Sequence, residues 1–250
     1  MSKARLDLEL VNRGLLPSRA RARDAILRGA VTLNGAISKK ASQNVTASDV
    51  IELSDPASQY VSRAALKLKH GLKTFELSPV GRNCIDVGAS TGGFTQILLE
   101  EGANAVFAFD VGHGQLHPAI EADHRVTSVE GLNARNLKSE DLPFPVSFVV
   151  SDVSFISLTL ALPPILSLAD PGSVGLFLIK PQFEVGKGQL GKGGIVSDPA
   201  LALASAQKIA HWLEADQQCQ IIGLTKSPIS GGDGNQEFLI AIRTPGYNDT

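Results

Sequence analysis

Long apolar runs are missing from this sequence of 250 residues, and their absence excludes a protein that spans a membrane. The most apolar stretch, residues 158–169, is shorter than the roughly 18 residues that a bilayer crossing needs, and it contains Pro163 and Pro164. The first residues are basic and polar, without the apolar segment of a secretory signal. We therefore expect a cytoplasmic protein that does not act at a membrane.

Cysteine and potential metal ligands are also scarce. The two cysteines, Cys84 and Cys219, lie far apart in apolar segments, so we expect buried free thiols and not a disulfide. His113, His117 and His124 cluster only loosely, and we interpret them as surface or pocket-rim residues. The sequence therefore predicts no metal site.

The small net charge of −2 conceals an uneven distribution of charge along the chain. Residues 1–50 carry nine Lys or Arg against four Asp or Glu, a balance of +5. The rest of the chain carries 14 basic against 21 acidic side chains, a balance of −7. A basic segment attached to an acidic body indicates a part dedicated to binding a polyanion such as a nucleic acid.

A small α+β domain is predicted for residues 1–55. A helix is expected over residues 4–14, and Ser18 can cap a second helix over residues 19–28. The Asn34-Gly35 pair between apolar residues is typical of a β-hairpin, and residues 50–53 predict a further strand. Residues 56–61 are interpreted as a linker.

Strands and helices alternate over residues 62–245. Helices are expected at residues 62–74, 93–101, 115–121, 156–168 and 199–215, and strands at residues 84–87, 105–109, 125–129, 146–151, 174–179, 220–224 and 237–242. This alternation indicates an α/β domain with a mostly parallel sheet. A Pro- and Gly-rich connection leaves no room for a helix before the last strand, which should therefore be antiparallel. Seven strands with a reversed last strand are similar to the Rossmann-like class I methyltransferase fold.

A glycine-rich loop, residues 85–95, follows the first strand of this sheet and opens a helix. Ligands of such sheets bind at the carboxyl ends of the strands, where a glycine loop lets the backbone approach them. A dinucleotide fingerprint is not met, because Ser90 replaces its second glycine. The loop does match the G-x-S-x-G pattern of serine hydrolases, which normally follows a middle strand. A loop for S-adenosylmethionine is the interpretation that we favour, because Asp86 precedes the loop and Asp110 ends the next strand.

A second glycine-rich segment gives a weaker signal. Gly186, Gly191 and Lys192 resemble the start of a phosphate-binding loop, but Gly193 stands where that motif requires Ser or Thr. We interpret this segment as a mobile loop, whose Lys187 and Lys192 could close over an RNA phosphate.

Four ionisable residues lie where the sequence pattern gives no structural reason for them. Asp152 and Lys180 end the fourth and fifth strands of the large domain. Glu237 begins the seventh strand, and Lys67 lies on the first helix. A solvated surface role is the simplest interpretation of each one alone. Together they suit methyl transfer to a ribose hydroxyl, a poor nucleophile that needs a base, because a lysine can serve when nearby positive charges favour its neutral form.

These four residues match the Lys-Asp-Lys-Glu tetrad of the FtsJ-like (RrmJ-type) RNA 2′-O-methyltransferases. The whole chain further resembles the TlyA, or haemolysin A, family of ribosomal RNA methyltransferases. This resemblance is carried by residues 61–68, 86–95, 110–116, 152–157 and 180–186. Of these segments, Lys180-Pro181-Gln182-Phe183-Glu184 is specific, whereas the glycine loop alone is not. The basic N-terminal part resembles an S4 RNA-binding domain.

The resemblance implies an enzyme that uses S-adenosylmethionine to methylate the ribose 2′-hydroxyl of a cytidine in ribosomal RNA. Its expected catalytic residues are Lys67, Asp152, Lys180 and Glu237, with Lys180 as the general base, Asp152 and Lys67 orienting it and the hydroxyl, and Glu237 holding Lys67. The expected cofactor-binding residues are Asp86, Gly88, Ala89, Ser90, Thr91, Gly92, Gly93, Phe94, Thr95, Asp110, Val111, Asn133, Ala134 and Asp152. The expected RNA-binding residues are Arg5, Arg19, Arg21, Arg23, Arg28, Lys39, Lys40 and Arg63. The short ends of the chain favour methylation of the large ribosomal subunit only.

Three other functions are open at this point. The older name of the family suggests a membrane-active haemolysin, but no amphipathic membrane helix supports it. A catalytically inactive RNA-binding protein of ribosome assembly would keep the fold, although the intact tetrad argues against it. A methyltransferase of proteins or small molecules would not need the basic N-terminal part. The expected partners are ribosomal RNA or ribosomal subunits, and the oligomeric state does not follow from the sequence.

Overall fold

The structure, a computed structural model, describes residues 3–246 of the chain. The chain divides into two compact units, Met1–Gln59 and Tyr60–Thr250. Among the helices of residues 3–246, none has both the length and the apolar character needed to cross a membrane.

The small unit combines two short helices with two small antiparallel sheets. Its elements in chain order are β1 (Ala4–Arg5), α1 (Leu6–Asn12), α2 (Arg19–Leu27), β2 (Val31–Leu33), β3 (Ala36–Ile37), β4 (Asn44–Val45) and β5 (Ile51–Leu53). Strand β2 lies between β3 and β5, and β1 pairs with β4. The core of this unit consists of fully buried apolar side chains from both helices and β2, including Leu6, Leu10, Ala22, Ala25, Ile26 and Val31.

Two local signals in the small unit are confirmed and one boundary is corrected. The hydroxyl of Ser18 accepts a hydrogen bond from the backbone N–H of Arg21 and caps α2. Asn34 and Gly35 have φ values of 51° and 81°, as a two-residue hairpin turn requires. The predicted first helix starts too early, because residues 4–5 extend and pair with β4 instead.

The large unit is built around a seven-stranded sheet with the order β11-β12-β10-β9-β6-β7-β8. Its strands are β6 (Asn83–Val87), β7 (Ala105–Asp110), β8 (Val126–Glu130), β9 (Phe148–Ser151), β10 (Val174–Ile179), β11 (Gln220–Lys226) and β12 (Phe238–Arg243). Strand β12 is antiparallel to both of its neighbours, whereas the other pairs are parallel. The predicted mostly parallel sheet with a reversed last strand is therefore confirmed.

Helices cover both faces of this sheet because its strands are apolar on both sides. The helices are α3 (Ala65–Thr74), α4 (Gly93–Glu100), α5 (Pro118–Glu121), α6 (Leu158–Leu168), α7 (Pro181–Glu184) and α8 (Pro199–Ala215). Helices α3 and α4 contribute to one apolar core, and α6 and α8 contribute to the other. Adjacent residues of β6 alternate between the two cores, with Cys84 in the first and Ile85 in the second.

Several element boundaries differ from the predicted ones for local reasons. The helix predicted over residues 115–121 begins only at Pro118, because the residue before a proline prefers the extended backbone that His117 adopts. The helix predicted from residue 156 begins at Leu158, after the cap Ser157. Helix α3 begins three residues later than expected, at Ala65, and the last strand begins at Phe238, so Glu237 directly precedes it.

Candidate active site

The glycine-rich loop joins the end of β6 to the start of α4. Gly88 and Gly92 have φ values of 82° and 90°, and Ser90 also lies in the left-handed region at 46°. A Cβ atom at Gly88 would lie 3.2 Å from the backbone oxygen of Asp152, so the loop packs tightly against the end of β9. The hydroxyl of Ser90 donates a hydrogen bond to Gln115 at 3.0 Å. A serine nucleophile would need a basic partner such as histidine, so this geometry does not support a hydrolase.

The carboxylate of Asp110 holds the glycine loop at the end of β7. One oxygen accepts a hydrogen bond from the backbone N–H of Ser90 at 2.9 Å, and the other accepts one from Gly112 at 2.8 Å. The neighbouring Val111 is 65% exposed. Asn133 caps the short 3₁₀ helix Ala134–Asn136 by accepting a hydrogen bond from the N–H of Arg135. These contacts order two surface segments beside the glycine loop.

Asp86 is a fully buried carboxyl group at the centre of the sheet. Its Oδ2 accepts a hydrogen bond from the Thr95 hydroxyl at 2.7 Å, whereas its Oδ1 has no partner among the described residues. Burial raises the pKa of Asp86 to about 7; the Thr95 bond opposes this rise and the nearby charge of Asp152 adds to it. An unpartnered buried oxygen is unfavourable, so Oδ1 is a candidate acceptor for a ligand's hydrogen-bond donor.

One buried and one largely buried ion pair bring together the four ionisable residues that the sequence singles out. Nζ of Lys67 lies 2.5 Å from Oε2 of Glu237, and Nζ of Lys180 lies 2.6 Å from Oδ1 of Asp152. The four side chains are between 2% and 15% exposed. Burial raises the pKa of Glu237, the charges of Lys67 and Lys180 oppose this rise, and Asp152 adds to it. The charges of both ion pairs therefore influence the pKa of Glu237.

Topology explains why residues so distant in sequence converge. Strands β9 and β10 are parallel neighbours, so Asp152 and Lys180 follow the same edge of the sheet. Strand β12 runs in the opposite direction beside β10, so Glu237, just before its first residue, reaches that edge too. Lys67 points inward from α3, which packs on the sheet above this edge.

A cavity of about 180 Å³ lies beside these pairs. It is lined by Ser62, Ala64, Gly88, Ala89, Ser90, Thr91, Gly93, Phe94, Asp152, Ser154 and Lys180. The structure thus joins most of the predicted loop residues with two of the predicted catalytic residues. Lys67, Glu237, Asp86, Gly92 and Thr95 are buried and do not line the cavity. Asp110, Val111, Asn133 and Ala134 are also not part of the cavity lining.

Sequence reasoning missed two polar residues that join the active-site segments. Nζ of Lys180 donates a hydrogen bond to Oγ of Ser154 at 2.7 Å. Glu184 accepts hydrogen bonds from the Ser157 hydroxyl at 2.6 Å and from the backbone N–H of Leu158 at 2.9 Å. Both residues lie within the segments that carry the family resemblance, which is the one signal that could have found them.

The second glycine-rich segment does not form a phosphate-binding loop. Such a loop opens a helix directly, whereas α8 begins only at Pro199. Asn235, which is 1% exposed, accepts a hydrogen bond from the N–H of Val196 and donates one to the carbonyl of Gly194. The end of the segment is therefore hydrogen-bonded to the turn before β12. Lys192, between these glycines, is exposed.

The predicted RNA-binding residues of the small unit fall into two groups. Arg23, Lys39 and Lys40 are exposed. The other arginines also bind within the unit: Arg5 and Arg19 contact Asp7 at 2.8 and 3.2 Å, Arg21 donates to the carbonyl of Ala57, and Arg28 contacts Asp24 and Asp55 at 2.8 Å. The Arg28 side chain is only 15% exposed. Arg63, in the large unit, is partly buried just before α3.

Comparisons with known proteins match both units. Residues 60–244 match the FtsJ-like methyltransferase family, and residues 4–51 match the S4 domain family. The 16S/23S rRNA (cytidine-2′-O)-methyltransferase TlyA of Mycobacterium tuberculosis is 43% identical over 97% of this chain and 90% of that protein. The 23S rRNA (cytidine-2′-O)-methyltransferase TlyA of Campylobacter jejuni is 36% identical over 79% of this chain and 76% of that protein. A solved structure of a candidate hemolysin from Streptococcus thermophilus is 36% identical, with a TM-score of 0.76, and covers 100% of this chain and 93% of that chain.

Proposed function

Because the chain belongs to the FtsJ-like methyltransferase family and carries an S4 domain ahead of its methyltransferase domain, we propose that it transfers a methyl group from S-adenosylmethionine to the ribose 2′-hydroxyl of a cytidine in ribosomal RNA. The observation that carries this proposal is the pairing of Lys67 with Glu237 and of Lys180 with Asp152 beside the glycine-loop cavity. The names of the M. tuberculosis and C. jejuni relatives support the choice of substrate.

The residues around the cavity fit S-adenosylmethionine. Asp86 does not line the cavity, but its unpartnered oxygen suits a hydrogen-bond donor such as an ammonium group. The start of α4 presents the backbone N–H groups of Gly93 and Phe94, which line the cavity. The cavity is smaller than the roughly 300–1,000 Å³ of most ligand pockets, so only part of the cofactor would lie inside it. We assign the adenosine part to Asp110, Val111, Asn133 and Ala134 outside the cavity. When bound, this cofactor supplies an activated methyl group.

The chain's own residues would then accept one proton and orient the 2′-hydroxyl. Lys180, on the cavity wall, would accept the proton of the 2′-hydroxyl as general base. Asp152 would hold the amine of Lys180 and stabilise its charged form after that transfer. Lys67, held by Glu237, would place a fixed positive charge near the oxygen that loses the proton.

RNA binding is assigned to the small unit. Arg23, Lys39 and Lys40 are exposed, so they are the residues that we assign to direct phosphate contacts. Arg5 and Arg19 share the Asp7 carboxylate but are 45% and 58% exposed, so they can also meet a phosphate. Arg28 is instead assigned a structural role because two carboxylates already bind its guanidinium. This changes the role that the sequence suggests for Arg28.

The subunit and the location follow from the proposed substrate. We favour the large subunit because both relatives are named for 23S RNA, whereas only the M. tuberculosis relative is also named for 16S RNA. A ribosomal substrate places the protein in the cytoplasm.

The test is transfer of labelled methyl from S-adenosylmethionine to purified ribosomal subunits that lack the modification. Wild type is compared with Lys180→Ala and, as a matched control, with Lys73→Ala, an exposed lysine at the end of α3. We expect 2′-O-methylcytidine in digests of large-subunit RNA with wild type and the control, and none with Lys180→Ala. Measured binding of the RNA without any transfer would instead favour an inactive RNA-binding protein, and label on a base would contradict ribose methylation.

A further inference from the structure

Ser154 is a polar residue on the cavity wall that contacts Lys180. Its Oγ accepts a hydrogen bond of 2.7 Å from Nζ of Lys180, and its side chain lines the cavity. The same nitrogen contacts Oδ1 of Asp152 at 2.6 Å. The amine of Lys180 therefore has two oxygen neighbours, one charged and one neutral.

Together, these two oxygen neighbours limit the direction in which the lone pair of the Lys180 amine can point. A neutral lysine nitrogen carries two hydrogens and one lone pair besides its bond to Cε. One hydrogen is directed at Ser154, which restricts the lone pair to the other two tetrahedral directions. Oδ1 of Asp152 forms an ion pair with the amine and no regular hydrogen bond, but its negative charge repels the lone pair from the direction that faces it, so the third direction is favoured. Since Lys180 lines the cavity, we propose that Ser154 is a positioning residue that, with Asp152, directs the Lys180 lone pair towards the substrate hydroxyl. This inference rests on the proposed role of Lys180 as general base.

A hydroxyl suits this position better than a second carboxylate. It accepts a hydrogen bond from the amine without adding negative charge, whereas another carboxylate would favour the protonated amine, which cannot act as a base. It also remains an acceptor after proton transfer, when all three positions of the ammonium carry hydrogens. An alanine would leave one amine hydrogen without its fixed partner.

The segment that follows Ser154 contacts the segment after β10 at several residues. Phe155 has a φ of 66°, so the chain turns sharply directly after Ser154. Its ring lies 5.1 Å from the ring of Phe183, measured between centroids. The bonds of Glu184 to Ser157 and Leu158 join the same two segments a few residues further on. Three contacts, including that of Ser154 with Lys180, thus fix the distance between the segment after β9 and the segment after β10.

The experiment compares Ser154→Ala with Ser154→Thr, which keeps the hydroxyl. The matched control is Ser167→Ala, an exposed serine on α6 whose hydroxyl donates to the Pro164 carbonyl. The readouts are the single-turnover rate of methyl transfer at saturating cofactor and RNA, and the dissociation constants of both. We expect Ser154→Ala to lower the rate about tenfold, as the loss of one hydrogen bond in the transition state predicts. Both dissociation constants should stay within about twofold of wild type, and Ser154→Thr should recover most of the rate.

A second readout does not depend on activity. The Nζ signal of Lys180, assigned by its absence in Lys180→Met, is followed by NMR of ¹⁵N-labelled lysine amines in the free protein. The signal should shift in Ser154→Ala and stay close to wild type in Ser154→Thr and Ser167→Ala. An unchanged signal, an unchanged rate, or a loss that threonine does not recover would overturn the inference. If the signal shifts but the wild-type protein transfers no methyl group, the contact between Ser154 and Lys180 is supported and the proposed function is refuted instead.

Discussion

Two arginines of the small unit and two lysines of the large unit lie at similar distances from their carboxylates, yet these cations differ in how far water reaches them. In the small unit, Arg5 and Arg19 lie 2.8 and 3.2 Å from Asp7 and are 45% and 58% exposed. In the large unit, Lys67 and Lys180 lie 2.5 and 2.6 Å from their carboxylates and are 6% and 11% exposed. Distance alone therefore does not say what an ion pair does.

Burial decides between binding and chemistry. An exposed pair contributes about 0–1 kcal/mol to stability, and its cation stays accessible to a second anion such as an RNA phosphate. Breaking a buried pair costs about 3–5 kcal/mol because it leaves one charge without a partner. Sites with buried charges are also where acid–base chemistry is arranged. This contrast separates Arg5 and Arg19 from the active-site lysines; it does not hold for every pair, since Arg28 of the small unit is only 15% exposed beside Asp55. Four changes would break or sharpen it.

The largest effect on stability is expected from Lys67→Met. Because this substitution leaves Glu237 buried without its cation, the free energy of unfolding should fall by about 3–5 kcal/mol in urea denaturation. The matched control, Lys73→Ala on the exposed side of α3, should change it by less than about 0.5 kcal/mol. The double variant Lys67→Met, Glu237→Leu should recover most of the stability and remain inactive. Recovery of activity together with stability would show that the pair is only structural.

The next effect concerns Asp86 and depends on pH. Its pKa is about 7 in the folded protein against an ordinary value of 3.8, so its contribution to stability is present below pH 4 and is lost as the pH rises through 7. Asp86→Asn cannot ionise and should therefore be more stable than wild type at pH 8, by an amount on the order of a few kcal/mol, with the difference shrinking towards pH 4.

This prediction is checked by unfolding both proteins between pH 4 and 8. Asp216→Asn, an exposed residue after α8, is the matched control and should follow wild type throughout. We also expect Asp86→Asn to bind S-adenosylmethionine more weakly. Parallel stability curves for Asp86→Asn and wild type would mean that the carboxyl group is not perturbed by its burial.

A smaller effect is expected from Glu184→Ala. Glu184 caps α6 from a distant segment, so its loss should lower the free energy of unfolding by about 1–2 kcal/mol. Hydrogen exchange should accelerate at Leu158, while Glu214→Ala on the exposed side of α8 should leave it unchanged. Unchanged exchange at Leu158 would rule out the cap. Glu184→Gln, which keeps an acceptor, should lie between wild type and Glu184→Ala.

The smallest effect is expected in the small unit. Removing the exposed charge of Arg23 should weaken RNA binding a fewfold and reduce the slope of log affinity against log salt by about 1. Arg28→Ala should lower the free energy of unfolding and leave this salt slope nearly unchanged, because Arg28 is bound to Asp24 and Asp55. Titrations of RNA binding at several salt concentrations measure the salt slope of each variant, and urea denaturation measures the stability of each. A larger change of slope with Arg28→Ala than with Arg23→Ala would reverse the assignment.

The sequence predicts the fold well because its signals are local or periodic. Alternating apolar segments predict the strands, Asn34-Gly35 predicts the hairpin, and the Pro- and Gly-rich connection predicts the reversed last strand. The family resemblance is confirmed as well. The boundaries at Pro118 and Ala65 were misplaced because they depend on the backbone conformation of single residues.

The site was only partly predictable for a different reason. Lys67, Asp152, Lys180 and Glu237 stand out because charged residues there break the apolar pattern. Ser154 and Glu184 do not, because serine and glutamate are ordinary in loops and short helices, and their contacts span 26 or 27 residues. The structural role that we propose for Arg28 could not be predicted, because a sequence shows its charge but not its ion pair with Asp55, 27 residues away.

The most direct test of the account is the single-turnover rate of methyl transfer by Lys180→Met, measured beside its affinities for cofactor and RNA. If Lys180 is the general base, the rate should fall about 100- to 10,000-fold while both dissociation constants stay within about threefold of wild type. A rate near that of wild type would contradict the assignment of this largely buried lysine to chemistry, and with it the contrast between Arg5 and Arg19 of the small unit and the lysines of the large unit.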